Sequence, residues 1–337
     1  MACLIRRLGP VLLVLSVLLS GCVSNPTPHE QRFVAMDTFM HFTVYGDSAA
    51  AVQAQDEVLH LERLLSVTDE HSEVSAINHR TVQTCDLSPE LTALLEQALI
   101  LARQTDGTFD PTVYPVVRAW GFTTGTYRVP TQEELEHLLP LVDHTAPLLN
   151  ANSLSLPNDV QLDFGGIAKG WAGDRAAQLL RGRGVASAIL RLGGNIHTIG
   201  TKPDGSGWNI GIEDPDTGGT LGTLSVADLA VVTSGSYQRF FTANGQTYHH
   251  IIDPATGRPA DSGLTSVTVV GQYGARCDAL STALFVMGLE DAARFWREHR
   301  DFEAVFVSED GSVSVTAGLE NTFALSPSQN RRLEVLR

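Results

Sequence analysis

The first half of the chain shows two kinds of hydrophobic pattern. Residues 39–45 alternate between apolar and polar side chains, which predicts a half-buried β-strand. Residues 49–65 instead carry Val52, Leu59, Leu64 and Leu65 at the spacing of one helix face. Residues 91–102 and 131–139 are also predicted to be helices, because each follows a Ser or Thr beside a proline, as helix starts often do.

The second half is richer in short β-branched runs. Residues 267–270 and 304–307 are examples, and glycine-rich turns separate such runs. Strands and helices do not alternate regularly, as they would in a doubly wound parallel sheet. The pattern predicts an α+β fold in which mixed β-sheets pack against helices.

The first residues have the pattern of an export signal. Arg6 and Arg7 precede an apolar run at 11–19 that is too short to span a bilayer, and Leu19-Ser20-Gly21-Cys22 follows. This ending resembles a lipoprotein box, in which Cys22 is lipidated. An ordinary signal peptide with an incidental cysteine and an uncleaved anchor are the alternatives. The predicted organisation is a signal peptide at 1–21, a lipid-anchored tether at 22–31 and one domain at 32–337.

Composition and charge narrow the possible functions. The chain has 337 residues, 43% of them hydrophobic, which is enough for one large core or two modest ones. A net charge of -15 excludes a sequence-neutral nucleic-acid binder and means that an anionic ligand needs local help, such as a metal ion. Only Cys85 and Cys277 remain in the predicted mature domain, and we expect both to be buried, unpaired side chains.

The stretch DFGGIAKG at 163–170 is the first candidate site. We expect a strand end at 162–164, a turn at the two glycines and a helix at 172–180. The spacing matches neither a dinucleotide fingerprint nor a P-loop. Backbone N–H groups at a helix start and Lys169 would favour an anion, although a glycine pair before a helix is more often a plain turn.

A second candidate site is the polar face of the segment CDALSTALFVMG. On a helix, Asp278, Ser281 and Thr282 lie on one face among apolar neighbours. One carboxylate beside hydroxyl groups suits Mg²⁺, which also takes ligands from a phosphate substrate. The alternative is that Asp278 is a helix N-cap and that both hydroxyls bond to the helix backbone.

Two shorter segments add candidate chemistry. His250 precedes an apolar pair and a turn at 253–257, where a histidine can act as a base near neutral pH. Residues 233–236 place small hydroxyl side chains after an apolar run. Taken singly, these are also consistent with a surface histidine and a strand end.

Taken together, the motifs resemble those of the FAD:protein FMN transferase (ApbE) family. The resemblance runs from Met36 to Met287 and beyond, and its motifs fall in one order. They are MDTF at 36–39, TDGTFDPT at 105–112, WGF at 120–122, DFGGIAKG at 163–170, LGGN at 192–195, WNIGI at 208–212, TSG at 233–235, HIIDPATG at 250–257 and DALSTA at 278–283.

The resemblance implies an α+β fold related to the T-fold and a Mg²⁺-dependent enzyme. Such an enzyme takes FAD as substrate, cleaves its pyrophosphate, moves FMN onto a threonine hydroxyl of a target protein and releases AMP. His250 is implied as the base, Asp278 as a catalytic residue and metal ligand, Thr282 and Ser281 as further metal-site residues, and Gly166 as a backbone ligand. The implied FAD-binding residues are Met36, Thr108, Phe109, Asp110, Asp163, Lys169 and Ile251. Thr68 stands where several family members carry an aromatic flavin contact.

Two other functions remain open from the sequence. An FAD pyrophosphatase would use water in place of threonine, and a non-catalytic flavin-binding lipoprotein would need no base. The lipoprotein signal, together with the resemblance, implies a lipid-anchored protein of the bacterial cell envelope that faces the periplasm. Its implied partners are FAD and exported target proteins, such as subunits of respiratory electron-transfer chains.

Overall fold

A computed structural model describes residues 27–337, so the predicted signal peptide and Cys22 lie outside the described residues. The helices are α1 Ser48–Leu65, α2 Glu73–Asn78, α3 Pro89–Gln104, α4 Tyr114–Trp120, α5 Gln132–Leu138, α6 Ala168–Gly182 and α7 Gly274–His299. The strands of the N-terminal half are β1 Pro28–Ala35, β2 Thr38–Tyr45, β3 Thr84–Asp86, β4 Leu148–Asn150, β5 Ser153–Ser155, β6 Ser187–Leu192 and β7 Asn195–Ile199. Those that follow are β8 Trp208–Glu213, β9 Thr220–Val226, β10 Ala230–Gly235, β11 Phe240–Ala243, β12 Gln246–His249, β13 Ile252–Asp253, β14 Arg258–Pro259, β15 Leu264–Gly271, β16 Glu303–Ser308, β17 Val313–Thr316, β18 Phe323–Leu325 and β19 Leu333–Leu336.

A nine-stranded sheet forms the centre of the fold. Its strand order is β1-β2-β6-β7-β10-β15-β16-β17-β19, and only the pair of β17 with β19 is parallel. Helices α1, α6 and α7 pack on one face through a core that includes Phe42, Val58 and Leu190. A three-stranded sheet of β18, β9 and β8 packs on the other face, so that β15 is buried almost throughout. The predicted α+β architecture is present.

The helix starts follow from local capping chemistry. The Ser88 hydroxyl accepts a hydrogen bond from the Leu91 amide at 3.2 Å, and the Thr131 hydroxyl accepts one from the Glu134 amide at 3.2 Å. Both predicted helices are therefore confirmed. Helix α1 is confirmed too, but Val52 is 46% exposed, and alanines such as Ala54 fill the buried face instead.

Three sequence predictions need correction. Residues 162–164 form no strand, because the Asn78 side chain bonds both to the Leu162 carbonyl at 2.8 Å and to the Leu162 amide at 2.7 Å. Helix α6 begins at Ala168, four residues before the predicted start at 172. Strand β1 begins at Pro28, inside the predicted tether, because a proline at the first position of an edge strand disrupts no ladder bond.

The structure also tests the prediction that Cys85 and Cys277 are buried and unpaired. Both thiols are free and Cys277 is buried, but Cys85 is only half-buried. Within residues 27–337, no helix is both long enough and apolar enough to cross a membrane.

Candidate active site

A cavity of about 890 Å³ gathers most of the predicted site residues. Its wall is formed by the β1–β2 turn, the loops around 109 and 165, the end of β10, the segment after β12 and one face of α7. The predicted residues that line it are Met36, Thr108, Phe109, Asp110, Asp163, Gly166, Lys169, His250, Ile251, Asp278 and Thr282. Among the FAD-binding, catalytic and metal-site residues implied by the resemblance, all of which lie within 27–337, Ser281 is the one that does not line the cavity.

Asp278 lines the cavity and also accepts a hydrogen bond from the start of another helix. It lies in the second turn of α7, whose N-cap is Tyr273, so the alternative that Asp278 caps its own helix is wrong. Its Oδ2 atom accepts a hydrogen bond from the Gly170 amide in the first turn of α6 at 2.8 Å. Within residues 27–337 its Oδ1 atom has no hydrogen-bond partner, and the residue lines the cavity although it is only 4% exposed.

A carboxylate on helix α6 in turn caps the start of helix α7. The Asp174 carboxylate accepts hydrogen bonds from the Gly274 amide at 2.7 Å and the Ala275 amide at 2.9 Å, at the start of α7. The helices cross so closely that a Cβ on Gly170 would lie 2.2 Å from the Gly274 carbonyl oxygen. Each helix therefore caps the other, and the pair of contacts fixes the position of Asp278.

The hydroxyl groups near Asp278 form a short chain. The Ser234 Oγ atom lies 2.7 Å from the Ser281 Oγ and 3.3 Å from the Thr282 Oγ1. Ser281 is fully buried and donates to the Asp278 carbonyl at 2.8 Å. Ser281 does not line the cavity, and its assignment to the metal site stays a prediction. Ser234, which is only 8% exposed, lines the cavity beside Thr282.

The oxygen atoms around Asp278 fit a hard divalent cation. A Cβ placed on Gly166 would lie 3.6 Å from Thr282 Oγ1, so the Gly166 backbone is next to the hydroxyl chain. No group of three or more His, Cys, Asp or Glu side chains able to hold a metal occurs in the described part of the chain. One carboxylate with hydroxyl and backbone oxygens is the set that Mg²⁺ uses when substrate phosphates complete its coordination.

His250 is held as a neutral imidazole in the cavity wall. The Arg239 carbonyl accepts from the His250 amide at 3.0 Å and from its Nδ1 at 3.1 Å. A carbonyl only accepts, so Nδ1 carries the ring proton and Nε2 keeps its lone pair. Burial, together with the nearby Arg239 and Lys169 cations, lowers the pKa of His250 to about 3.

The two other carboxylates predicted for the site, Asp163 and Asp110, have different environments. Asp163 accepts from the Gly165 amide at 2.7 Å, and burial raises the pKa of its carboxyl group. Asp110 accepts from the Thr112 amide and hydroxyl at 2.8 and 2.6 Å and from the His144 amide at 3.0 Å. Asp110 therefore holds two loops together at the cavity wall.

The turn at Met36 is unusual. Met36 and Asp37 both have positive φ, 50° and 57°, which non-glycine residues seldom adopt. The Glu62 carboxylate on α1 accepts from the Met36 amide at 2.6 Å and so stabilises the turn. This arrangement keeps Met36 at the cavity.

Comparison with known proteins then places the chain in a family. The sequence matches the model of the ApbE family over residues 36–306. The chain belongs to the ApbE family. An FAD:protein FMN transferase of Treponema pallidum is 34% identical over 94% of this chain and 95% of its own length. A second, from Klebsiella pneumoniae, is 31% identical over 80% of this chain and 86% of its own.

Solved structures of ApbE proteins have the same fold. The ApbE protein of Thermotoga maritima superposes with a TM-score of 0.82 at 32% identity, covering 87% of this chain and 98% of its own. The flavin transferase ApbE from Vibrio cholerae gives a TM-score of 0.80 at 26% identity, covering 88% and 99%. The predicted resemblance, the α+β fold and the enzyme class, a transferase, are confirmed.

Some residues of this ApbE cavity were absent from the sequence prediction. Arg239, Glu62 and Phe122 line it, although only Phe122 lies within one of the quoted motifs. Thr68 lines it as well, with a side chain that is not aromatic. No local pattern in the sequence marks Arg239, because it is the β11–β12 hairpin that brings this residue next to His250.

Proposed function

We propose that the chain is a Mg²⁺-dependent FAD:protein FMN transferase that attaches FMN to a threonine hydroxyl of a target protein and releases AMP. The observation that carries the proposal is one cavity that contains a neutral histidine with a free Nε2 and, on α7, the oxygen atoms of Asp278 and Thr282. The names of the relatives from Treponema pallidum and Klebsiella pneumoniae support the same activity.

The cavity suits a dinucleotide bound by both charge and shape. Its volume of about 890 Å³ lies within the range of small-molecule and cofactor sites. Lys169 is in the first turn of α6, where the helix dipole also favours an anion. Gly165 and Gly166 let the pyrophosphate approach the backbone without a side chain between them.

Asp278 Oδ1, Thr282 Oγ1 and the Gly166 backbone oxygen would hold Mg²⁺, with Ser234 beside them. When bound, the cation stabilises negative charge on the phosphate oxygens. The contact between Asp278 and Gly170 fixes the carboxylate before the ligand arrives.

His250 provides the base. The acceptor threonine gives its hydroxyl proton to Nε2, and its oxygen forms a bond to the phosphorus of the FMN moiety. The bond between that phosphorus and the bridging oxygen breaks, and AMP leaves with the bonding electrons. At pH 7 the ring is neutral, so Nε2 keeps its lone pair, and a bound pyrophosphate that offsets the Arg239 and Lys169 charges would raise the pKa of His250 towards the range of an effective base.

The cellular setting is part of the proposal. The export pattern ending at Cys22 supports a lipid-anchored enzyme that faces the periplasm, where exported electron-transfer subunits would present their threonines. The amino-terminal segment is the only support for this location.

Intact mass spectrometry tests the proposal directly. Residues 24–337 are incubated with FAD, Mg²⁺ and a small protein that carries an Asp-x-x-Thr-Gly-Ala-Thr acceptor segment. We expect an FMN adduct on the acceptor, which is lost with EDTA, with Asp278→Ala and with replacement of the acceptor threonine by valine. AMP and free FMN without an adduct would identify an FAD pyrophosphatase. Bound FAD that remains intact would identify a flavin carrier.

A further inference from the structure

Arg239 and His250 close the base of one hairpin. Arg239 immediately precedes β11, and His250 immediately follows β12, its partner in a two-stranded sheet. The Arg239 carbonyl accepts two hydrogen bonds from His250, as described above. The backbones of Arg239 and His250 are therefore adjacent, and both residues line the cavity.

The Arg239 side chain is 43% exposed and makes no close ion pair among the described residues. Its closest carboxylate oxygen is Asp37 Oδ2 at 4.0 Å, on a side chain that is 88% exposed. Its other polar contact is the Phe122 carbonyl at 3.5 Å. By comparison, Arg175 lies 2.9 Å from Glu57, a typical ion-pair distance.

Arg239 adds a second positive charge, besides that of Lys169, to the cavity wall. Arg239 and Lys169 are both cations near His250, and both disfavour its protonated form. The charge of Arg239, like that of Lys169, also acts on the buried Asp163 carboxyl, whose pKa is nevertheless raised by burial. Side chains arranged against their own electrostatic preference are typical of sites that bind a charged ligand. The ligand that would compensate two cations is an anion.

We propose that the Arg239 guanidinium binds the phosphoryl group that is transferred and stabilises the charge that develops on it. The inference rests on the proposed function, in which His250 takes the proton of the attacking hydroxyl. That hydroxyl must lie beside the attacked phosphorus, so the cation nearest the base is the one nearest that phosphorus. Lys169 and the metal-site oxygens come from α6 and α7, and Lys169 has a smaller effect on His250 than Arg239 has.

The chemistry of arginine suits this role. A guanidinium offers two parallel N–H donors to two phosphate oxygens, which lysine cannot do. Phosphoryl transfer depends mainly on positioning and on charge stabilisation, so a donor aimed at the reacting group acts mostly in the transition state. Removal of Arg239 should therefore lower kcat more than it lowers affinity for FAD.

The test compares Arg239→Gln and Arg239→Lys with wild type and with Arg258→Gln as a matched control. Arg258 is an exposed arginine on β14 that bonds to Gln132 and does not line the cavity. FAD binding is followed by flavin fluorescence, and transfer is measured at saturating FAD. We expect kcat to fall about 10- to 100-fold in Arg239→Gln, with less than about a 5-fold change in FAD affinity. Arg239→Lys should lose less, and Arg258→Gln should match wild type.

The pH profile gives a second readout that a merely structural role would not change. Because Arg239 lowers the pKa of His250, its loss should move the acid limb of kcat/KM to higher pH in Arg239→Gln but not in Arg239→Lys. Wild-type kcat in Arg239→Gln, or reduced FAD affinity at unchanged kcat, would overturn the inference. If wild type forms no adduct at all, the proposed function fails instead, and the same variants are then compared on FAD cleavage.

Discussion

At the scale of single residues, the state of His250 sets the pH range of the reaction. The native pKa of about 3 lies below the ordinary histidine value, so the ring stays neutral from pH 7 down to about pH 4. We expect kcat/KM for transfer to show no acid limb near pH 6.5, the value for an exposed histidine. Rates measured from pH 5 to 9 check this, and an acid limb at pH 6.5 would show that His250 titrates normally.

The same lowered pKa affects folding. Between about pH 3 and 6.5, an unfolded chain protonates this histidine while the native protein does not. The free energy of unfolding contributed by His250 therefore falls as pH falls through this window. We expect His250→Gln to be more stable than wild type at pH 5 relative to pH 8, as measured by urea unfolding. The opposite trend would show that the native histidine is protonated.

Asp163 should show the reverse dependence on pH. Burial raises the pKa of its carboxyl group, so the native state holds a proton that the unfolded chain has already lost above about pH 4. The stability contributed by Asp163 thus falls as pH rises. We expect the Tm of Asp163→Asn, relative to wild type, to increase from pH 4 to pH 8. Asp310→Asn is the control, since Asp310 has a lowered pKa and its replacement should give no such increase.

At the scale of elements, the mutual capping of α6 and α7 links folding to the metal site. Asp174 satisfies two amides at the start of the helix that carries Asp278 and Thr282. We expect Asp174→Ala to reduce the free energy of unfolding by about 1–2 kcal/mol and to weaken Mg²⁺ binding about 10-fold. Urea unfolding and Mg²⁺ titration in the presence of FAD measure the two effects.

Asp47 offers a matched control for this prediction. Its carboxylate caps α1 in the same way, by accepting from the Ala49 amide at 2.8 Å and the Ala50 amide at 3.2 Å, but it does not line the cavity. Asp47→Ala should cost similar stability and leave Mg²⁺ affinity unchanged. Equal losses of Mg²⁺ affinity in both variants would mean that the affinity depends on the overall stability of the protein and not on the position of α7.

The close crossing of these helices makes a second prediction at this scale. A Cβ on Gly170 would meet the Gly274 backbone at 2.2 Å, and backbone cannot move aside cheaply. We expect Gly170→Ala to destabilise the protein by about 1–3 kcal/mol. Gly182, in the same helix, has open space around it, so Gly182→Ala should be neutral or stabilising by up to about 1 kcal/mol. Thermal unfolding of both variants checks the difference.

At the scale of the whole molecule, features that neighbouring residues determine could be predicted from the sequence, whereas features that depend on contacts between distant residues could not. Caps such as Ser88 act on a residue three positions away, so the predicted helix appeared in place. The loop at Leu162 is held by Asn78, 84 residues earlier, and no local pattern shows that contact. Ser281 and Ser234 are likewise 47 residues apart, and no local pattern shows that their hydroxyl groups are hydrogen-bonded or that Ser234 lines the cavity.

The anchor is the last property that depends on the molecule as a whole. A net charge of -15 gives the chain no electrostatic attraction to anionic lipids, so the proposed lipid on Cys22 would be its attachment. Because the fold begins at Pro28, the linking chain can reach at most about 20 Å, which would hold the domain close to the membrane surface. We expect replacement of residues 1–22 by an ordinary cleavable export signal to move the protein from the membrane fraction to the soluble fraction with unchanged transferase activity. If that variant stays with membranes, another part of the chain binds them; if activity on a soluble acceptor falls with release, residues 1–22 have a role beyond attachment.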